Sequence, residues 1–154
     1  MIYAATFAAI AVTAAQDVWE IATPATTRGR LREVRIGQYS DVGDAAAELI
    51  SVQIIRGYTT TGSGGASVTP VNLRPWSRAA VCTVKRNNTT VAQDGTGSVL
   101  FSDTFNIASG LWYRPAESEM IYLDASQRLV VRITAPADEL SMNSTLVFEE
   151  TPNV

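Results

Sequence analysis

The chain has 154 residues, of which 46% are hydrophobic and 18% charged, with a formal charge of −3. This balance excludes a disordered chain and leaves enough apolar mass for one core. Twelve basic residues scattered from Arg28 to Arg132 without a run argue against a nucleic-acid surface; the lack of histidine removes the usual general base and the commonest metal ligand, and a lone Cys82 rules out an internal disulfide.

Residues 1–15 are apolar and uncharged, and the first cation is Arg28, so the stretch lacks the basic start of a signal peptide and is too short to cross a membrane. It is expected to stay in the mature protein as an N-terminal arm or first strand, because Thr6, Phe7, Ile10 and Val12 favour extended backbone over helix. Tyr3, Phe7 and Ile10 need cover from water. Two covers are open: the chain's own sheet, or exchange with a neighbouring subunit or a partner.

From residue 16 to 154 the chain reads as short β-favouring runs separated by Gly, Pro, Asn, Asp, Ser and Thr clusters. Asp17 to Ile21 is the first run. Arg30 to Gln38 is the second, with Val34 and Ile36 on one face and Leu31 out of phase, as a bulge would leave it. After Asp41-Val42-Gly43-Asp44, Ile50, Val52 and Ile54 alternate with Ser51 and Gln53. Thr59 to Ser67 holds no large apolar side chain and three glycines, which predicts an exposed loop; no helix start follows it, so it is no phosphate cradle.

Val81 to Lys85 and Val99 to Phe105 are the next runs, with turns expected at Asn87-Asn88 and Asp94-Gly95-Thr96-Gly97. Cys82 lies in an apolar stretch and is expected to be buried. Leu129, Val131 and Ile133 face one way and Val130 and Arg132 the other; Pro136-Ala137-Asp138 turns the chain, and Leu146 and Phe148 face inward on a last strand. About eight strands, with only the first residues and Asp44 to Leu49 competing as helix, predict an all-β, jelly-roll-like antiparallel β-sandwich in one domain with an extended N-terminal arm.

No constellation assembles a catalytic or metal site. Asp41, Asp44 and Glu48 match no calcium loop, and Glu117, Glu119 and Asp124 form no acid–base pair. Serine nucleophiles lack a base, and Asn87, Asn88 and Asn143 suit turn chemistry better than glycosylation. The chain is therefore expected not to be an enzyme and to hold no cofactor or metal. Eleven of the twelve bases are arginine, the side chain suited to bidentate carboxylate pairing across an interface. Trp76, Trp112 and Tyr113 fall outside the regular alternation and join Tyr3, Phe7 and Ile10 as interface candidates.

The runs Arg35-Ile36-Gly37-Gln38-Tyr39-Ser40-Asp41-Val42-Gly43-Asp44-Ala45-Ala46-Ala47-Glu48, Val52-Gln53-Ile54-Ile55-Arg56-Gly57, Thr59-Thr60-Thr61-Gly62-Ser63-Gly64-Gly65 and Asn87-Asn88-Thr89-Thr90, with the tail from Pro136 to Glu150, resemble a group of small proteins of tailed bacteriophages and prophages. The likeness extends over nearly the whole chain. It implies a virion β-sandwich protein made in the host bacterial cytoplasm: a head decoration or cement protein, homotrimeric, bound to the major capsid protein lattice on the outer capsid surface. The alternative it leaves is a tail or head-fibre module that binds a host surface or glycan. No catalytic residue comes with the resemblance, and neither nucleic acid nor a membrane is expected as a partner.

Overall fold

The computed structural model describes residues 1–40, 48–137 and 139–152. Asp41, Asp44 and the turn they bound lie outside these residues, as do Asp138 and all but the last two positions of the Asp44 to Leu49 helix alternative. Twelve strands are present among the described residues: β1 (Ile2–Val12), β2 (Gln16–Ala22), β3 (Thr27–Ser40), β4 (Leu49–Thr60), β5 (Ala66–Val68), β6 (Val71–Asn72), β7 (Thr83–Asn88), β8 (Gln93–Asn106), β9 (Leu111–Tyr113), β10 (Ile121–Leu123), β11 (Arg128–Ile133) and β12 (Leu140–Pro152).

They form two antiparallel sheets. One runs β10-β3-β12-β1-β6, with β9 also on β3, and the other runs β5-β7-β2-β11-β4-β8. The pairings are nested: β1 with β12, β2 with β11, β3 with β9 and β10, β4 with β8. This is a long hairpin folded over on itself, the jelly-roll-like arrangement the sequence predicts. The excursion 61–92, carrying β5, β6 and β7, then extends both sheets on the same side, beyond β1 and β2.

The sheets meet through alternating side chains. On β12, Leu140, Met142, Ser144, Leu146, Phe148 and Glu150 are buried while the residues between them are not. Strand β2 breaks that rule, for all six residues from Gln16 to Ile21 are buried, so both of its faces are covered. Trp19 is fully buried; its ring meets Phe7 at 5.1 Å and its indole N–H donates to Ser144 Oγ at 2.7 Å, whose hydroxyl donates in turn to the Arg35 carbonyl. One polar thread thus crosses the core without an unpaired group.

Strand β3 contains the bulge foreseen from its phase: Val147 pairs with Glu33 and Phe148 with Leu31, so Arg32 is the extra residue. Leu31, Val34 and Ile36 can then all reach the core, while Arg30, Arg32 and Arg35 stay outside.

Several expectations are corrected. Of the two readings of residues 1–15, the structure takes the strand: β1 lies between β12 and β6 in the chain's own sheet, and Tyr3 and Phe7 are core residues. The alternation of β1 is interrupted by a bulge between Phe7 and Ile10, where Ala9 adopts φ 54° and its N–H donates to Asn143 Oδ1 at 2.8 Å. Asn87-Asn88 and Asp94 to Gly97 lie within β7 and β8 and not in turns; positive φ at Asn87, Asp94 and Gly95 kinks those strands without ending them. Strand β7 starts at Thr83, leaving Val81 exposed.

The glycine loop is no free loop. Gly62 is buried, and its N–H and the Thr61 hydroxyl donate to the Glu20 carboxylate at 2.9 and 2.7 Å. Asn88 Nδ2 and Arg128 Nε donate to the same carboxylate, each at 2.8 Å, and Lys85 Nζ donates to Thr61 Oγ1 and the Gly62 carbonyl. A Cβ at Gly62 would sit 2.7 Å from both Asn88 Nδ2 and the Thr90 carbonyl, so only glycine lets the segment close on β7. Gly62→Ala should lower stability by about 1–3 kcal/mol, the usual cost of overpacking a close contact, read as a shift of the urea midpoint without a change in slope.

Cys82 is buried as expected. Burial and the neighbouring Glu150 carboxylate push its thiol far above the ordinary range. It should react slowly with a thiol reagent in the native protein and at once in denaturant; fast native labelling would place β7 wrongly.

Candidate interaction surface

The two outer sheet faces differ. Over the β2-β11-β4 sheet, Ile55, Ala92 and Val130 form a second buried cluster beneath Tyr58. Asp17, fully buried, accepts from Ala92 N at 2.7 Å and pairs with Arg132, whose guanidinium lies 4.9 Å from the Tyr58 ring. The chain has therefore covered part of this face with its own 89–92 segment.

Among the described residues, the outer face of the β3-β12-β1 sheet carries no buried apolar cluster of this kind. Outward side chains follow from the pleat and from the Arg32 bulge: Trp112 from β9 and Tyr122 from β10; Arg30, Arg32, Glu33 and Arg35 from β3; Thr145, Val147 and Glu149 from β12; Ile2 and Ala4 from β1. Trp112 is 64% exposed, and the Arg35 guanidinium lies 4.7 Å from its ring centroid; Arg30 lies 6.0 Å from Tyr122. Two aromatic edges are thus each backed by an arginine.

Carboxylates hold those arginines in place. Glu149 Oε2 accepts from Arg30 Nε at 2.9 Å and Arg32 Nη1 at 2.7 Å, Glu117 pairs with Arg30 at 2.6 Å, and Glu33 pairs with Arg35. Burial alone would raise the Glu149 carboxyl, but the hydrogen bonds and charges of Arg30 and Arg32 outweigh it and hold the group below its ordinary value. Of the acidic group read from the sequence, Glu117 and Asp124 thus find arginine partners, Asp124 on Arg28 at 3.2 Å. Between the β9 side and Leu73 lies a groove of about 570 Å³, floored by Ala4, Thr145 and Val147 and rimmed by Arg32 and Arg114. Arg114 is exposed and makes no ion pair among the described residues.

The six interface candidates separate cleanly. Tyr3, stacked on Phe148 with centroids 5.6 Å apart, and Phe7 are buried and cannot anchor a partner from this fold, because threading β1 into the sheet turns them inward. Ile10 and Tyr113 pack against the core, Tyr113 on Phe101 at 4.6 Å. Trp112 and Trp76 are the two left outside; Trp76 is 82% exposed. Sequence reasoning missed Tyr122, Val71, Leu73, Val99 and Leu100, which are exposed too. Its one usable signal for the arginine row was the out-of-phase Leu31.

Glu48, the one described member of the first acidic set, accepts from Ala137 N. Among the described residues no group of three His, Cys, Asp or Glu is arranged to hold a metal. Asn87 and Asn88 are buried, Asn87 Oδ1 accepting from Gln16 Nε2 at 2.7 Å, which accounts for both without a sugar.

Because the folded Glu149 carboxyl sits below its unfolded value, its pairing stabilises the protein above the ordinary carboxyl pKa and is lost as pH falls through the folded one. Glu149→Gln should therefore be less stable than the wild type at neutral pH, and the gap should close as the pH is lowered into the acid range, measured by denaturant midpoints. A gap that widens on acidification would contradict the assigned pairing.

Comparison with family models, with curated proteins and with solved structures finds no match for the chain.

Proposed function

We propose that this chain is a non-enzymatic structural protein of a phage particle, a head decoration or cement protein that docks through the open outer face of its β3-β12-β1 sheet on the major capsid protein lattice and stabilises it as a self-associated unit. The partner class comes from the sequence resemblance, and the mode of contact from the physical character of that face. The observation that carries the mode is the arginine-backed pair of exposed aromatics, Trp112 on Arg35 and Tyr122 on Arg30.

Such a face suits a broad partner better than a small molecule. Its arginines are preordered by Glu149, Glu117 and Glu33, so little side-chain entropy remains to be lost on binding. Aromatic and arginine side chains are those that dominate binding energy at protein interfaces. The groove beside them carries arginine donors, Arg32, Arg35 and Arg114, around its floor of alanine, threonine and valine, which suits an extended backbone laid across it.

Electron microscopy of intact particles tests the reading directly. Many copies on the outer head surface are expected; density confined to the tail would overturn it in favour of a tail or fibre module. In co-sedimentation with undecorated heads, Trp112→Ala should weaken binding about 30-fold, the loss expected of one anchor worth about 2 kcal/mol, with the melting temperature almost unchanged. Undiminished binding would remove this face from the contact.

A further inference from the structure

We propose that copies of this chain join head to tail, the side of the sandwich formed by the 61–92 excursion seating on the β8 side of the next copy. The inference rests on the self-association in the reading above but not on its capsid partner.

Topology places the two surfaces on opposite sides. Strands β5 and β6 end the two sheets on the excursion side, and β8 ends the other side of its sheet, paired only with β4. The charges then divide sharply. Residues 61–92 carry Arg74, Arg78, Lys85 and Arg86 and no acid, whereas residues 93–113 carry Asp94 and Asp103 and no base. Arg74, Arg86, Asp94 and Asp103 form no ion pair among the described residues.

Both sides also leave large apolar side chains in water: Val71, Leu73 and Trp76 on one, Val99 and Leu100 on the other. Trp76 stands on a loop whose base is fastened. Leu73 N donates to the Ile2 carbonyl at 3.0 Å, Tyr3 Oη to the Arg78 carbonyl at 3.1 Å, and Val81 N and Cys82 N to Glu150 Oε1 at 3.0 and 2.8 Å. An exposed indole on a loop fastened at its base forms a knob whose backbone is already ordered, which lowers the cost of seating it.

The symmetric alternatives are electrostatically poor. Two β8 sides face to face would bring Asp94 and Asp103 against their own copies, and two excursion sides would oppose the unpaired Arg74 and Arg86 of each copy, Arg78 being paired with Glu150 and Lys85 engaged by Thr61 and Gly62. Simple strand addition along β8 is blunted as well, since β8 bulges at Leu100 and again near Gly97. A contact between unlike surfaces remains, and such contacts close into rings when the rotation allows.

The experiment is sedimentation of the full chain, alone and in mixtures. The wild type should form a closed oligomer whose population falls as salt is raised, because unlike charges face each other. Arg74→Glu with Trp76→Ala removes the knob, and Val99→Thr with Asp103→Lys removes its seat. Each double variant alone should be monomeric with an unchanged far-ultraviolet circular dichroism spectrum, and an equimolar mixture should yield a one-to-one pair, since one intact junction survives only between unlike variants. A monomeric wild type, an oligomer insensitive to salt, or variants that keep the wild-type oligomer would overturn the proposal. So would a mixture of folded variants that stays monomeric. Particle binding is scored separately: a monomeric wild type that still decorates heads sinks the head-to-tail contact alone, and an oligomer that ignores heads sinks only the capsid reading.

Discussion

Three buried carboxylates, Asp17, Glu20 and Glu150, govern what this molecule shows to its surroundings. A carboxylate taken out of water costs several kcal/mol unless it is met by charge and hydrogen bonds. Each of the three is met by the excursion between β4 and β8 or its flanks: Asp17 by Ala92 N, Glu20 by Thr61, Gly62 and Asn88, and Glu150 by Val81 N and Cys82 N. Arg132 and Arg128 complete the first two from β11. The excursion must close on the sandwich, because leaving it open would strand the charges.

That closure decides which surfaces are free. With its 61–63 and 89–92 segments drawn over β2 and β11, the excursion covers part of one outer face, and on the other it supplies only Leu73 at the groove. That second face is where the Arg32 bulge turns a row of arginines outward, and the same loop that Glu150 pins lifts Trp76 away from the core. The proposed docking face and lateral knob thus follow from how buried charge is satisfied at β2 and β12. The carboxylates hold these segments by hydrogen bonds; the apolar core between the sheets supplies the bulk of the driving force.

The arginine preference takes on meaning in this setting. Arg132 grips Asp17, and Arg30 grips Glu149, through two nitrogens, while Arg32 spans Glu149 and Glu117 and Arg128 spans Glu20 and the Tyr58 and Thr59 carbonyls, placements that a lysine's single ammonium cannot reproduce; Arg30, Arg35 and Arg132 also lie against aromatic rings. The one lysine, Lys85, serves as a point donor to Thr61 and Gly62. Within the chain, then, arginine is used for structure first, and only those left unpaired, such as Arg74, Arg86 and Arg114, offer charge to a partner.

By itself the sequence determined the all-β class, the phases of β3, β4, β11 and β12, the bulge ahead of Val34 and the burial of Cys82. Each of these is local: a period of two, or its interruption, is written in neighbouring residues. Only the tertiary structure decided that residues 2–12 form an inner strand with Tyr3 and Phe7 in the core, since their partners on β12 lie at the far end of the chain. The same holds for the glycine loop and for Asn87 and Asn88, which read as turns because glycine and asparagine are turn formers; here Gly62 and Asn88 approach Glu20 and fill its hydrogen bonds, and Asn87 accepts from Gln16. Whether an aromatic is anchor or core was likewise undecidable locally: Trp76 and Trp112 differ from Tyr3 and Tyr113 in which sheet edge and which face the pairing assigns them, and pairing between distant strands is a property of the whole fold.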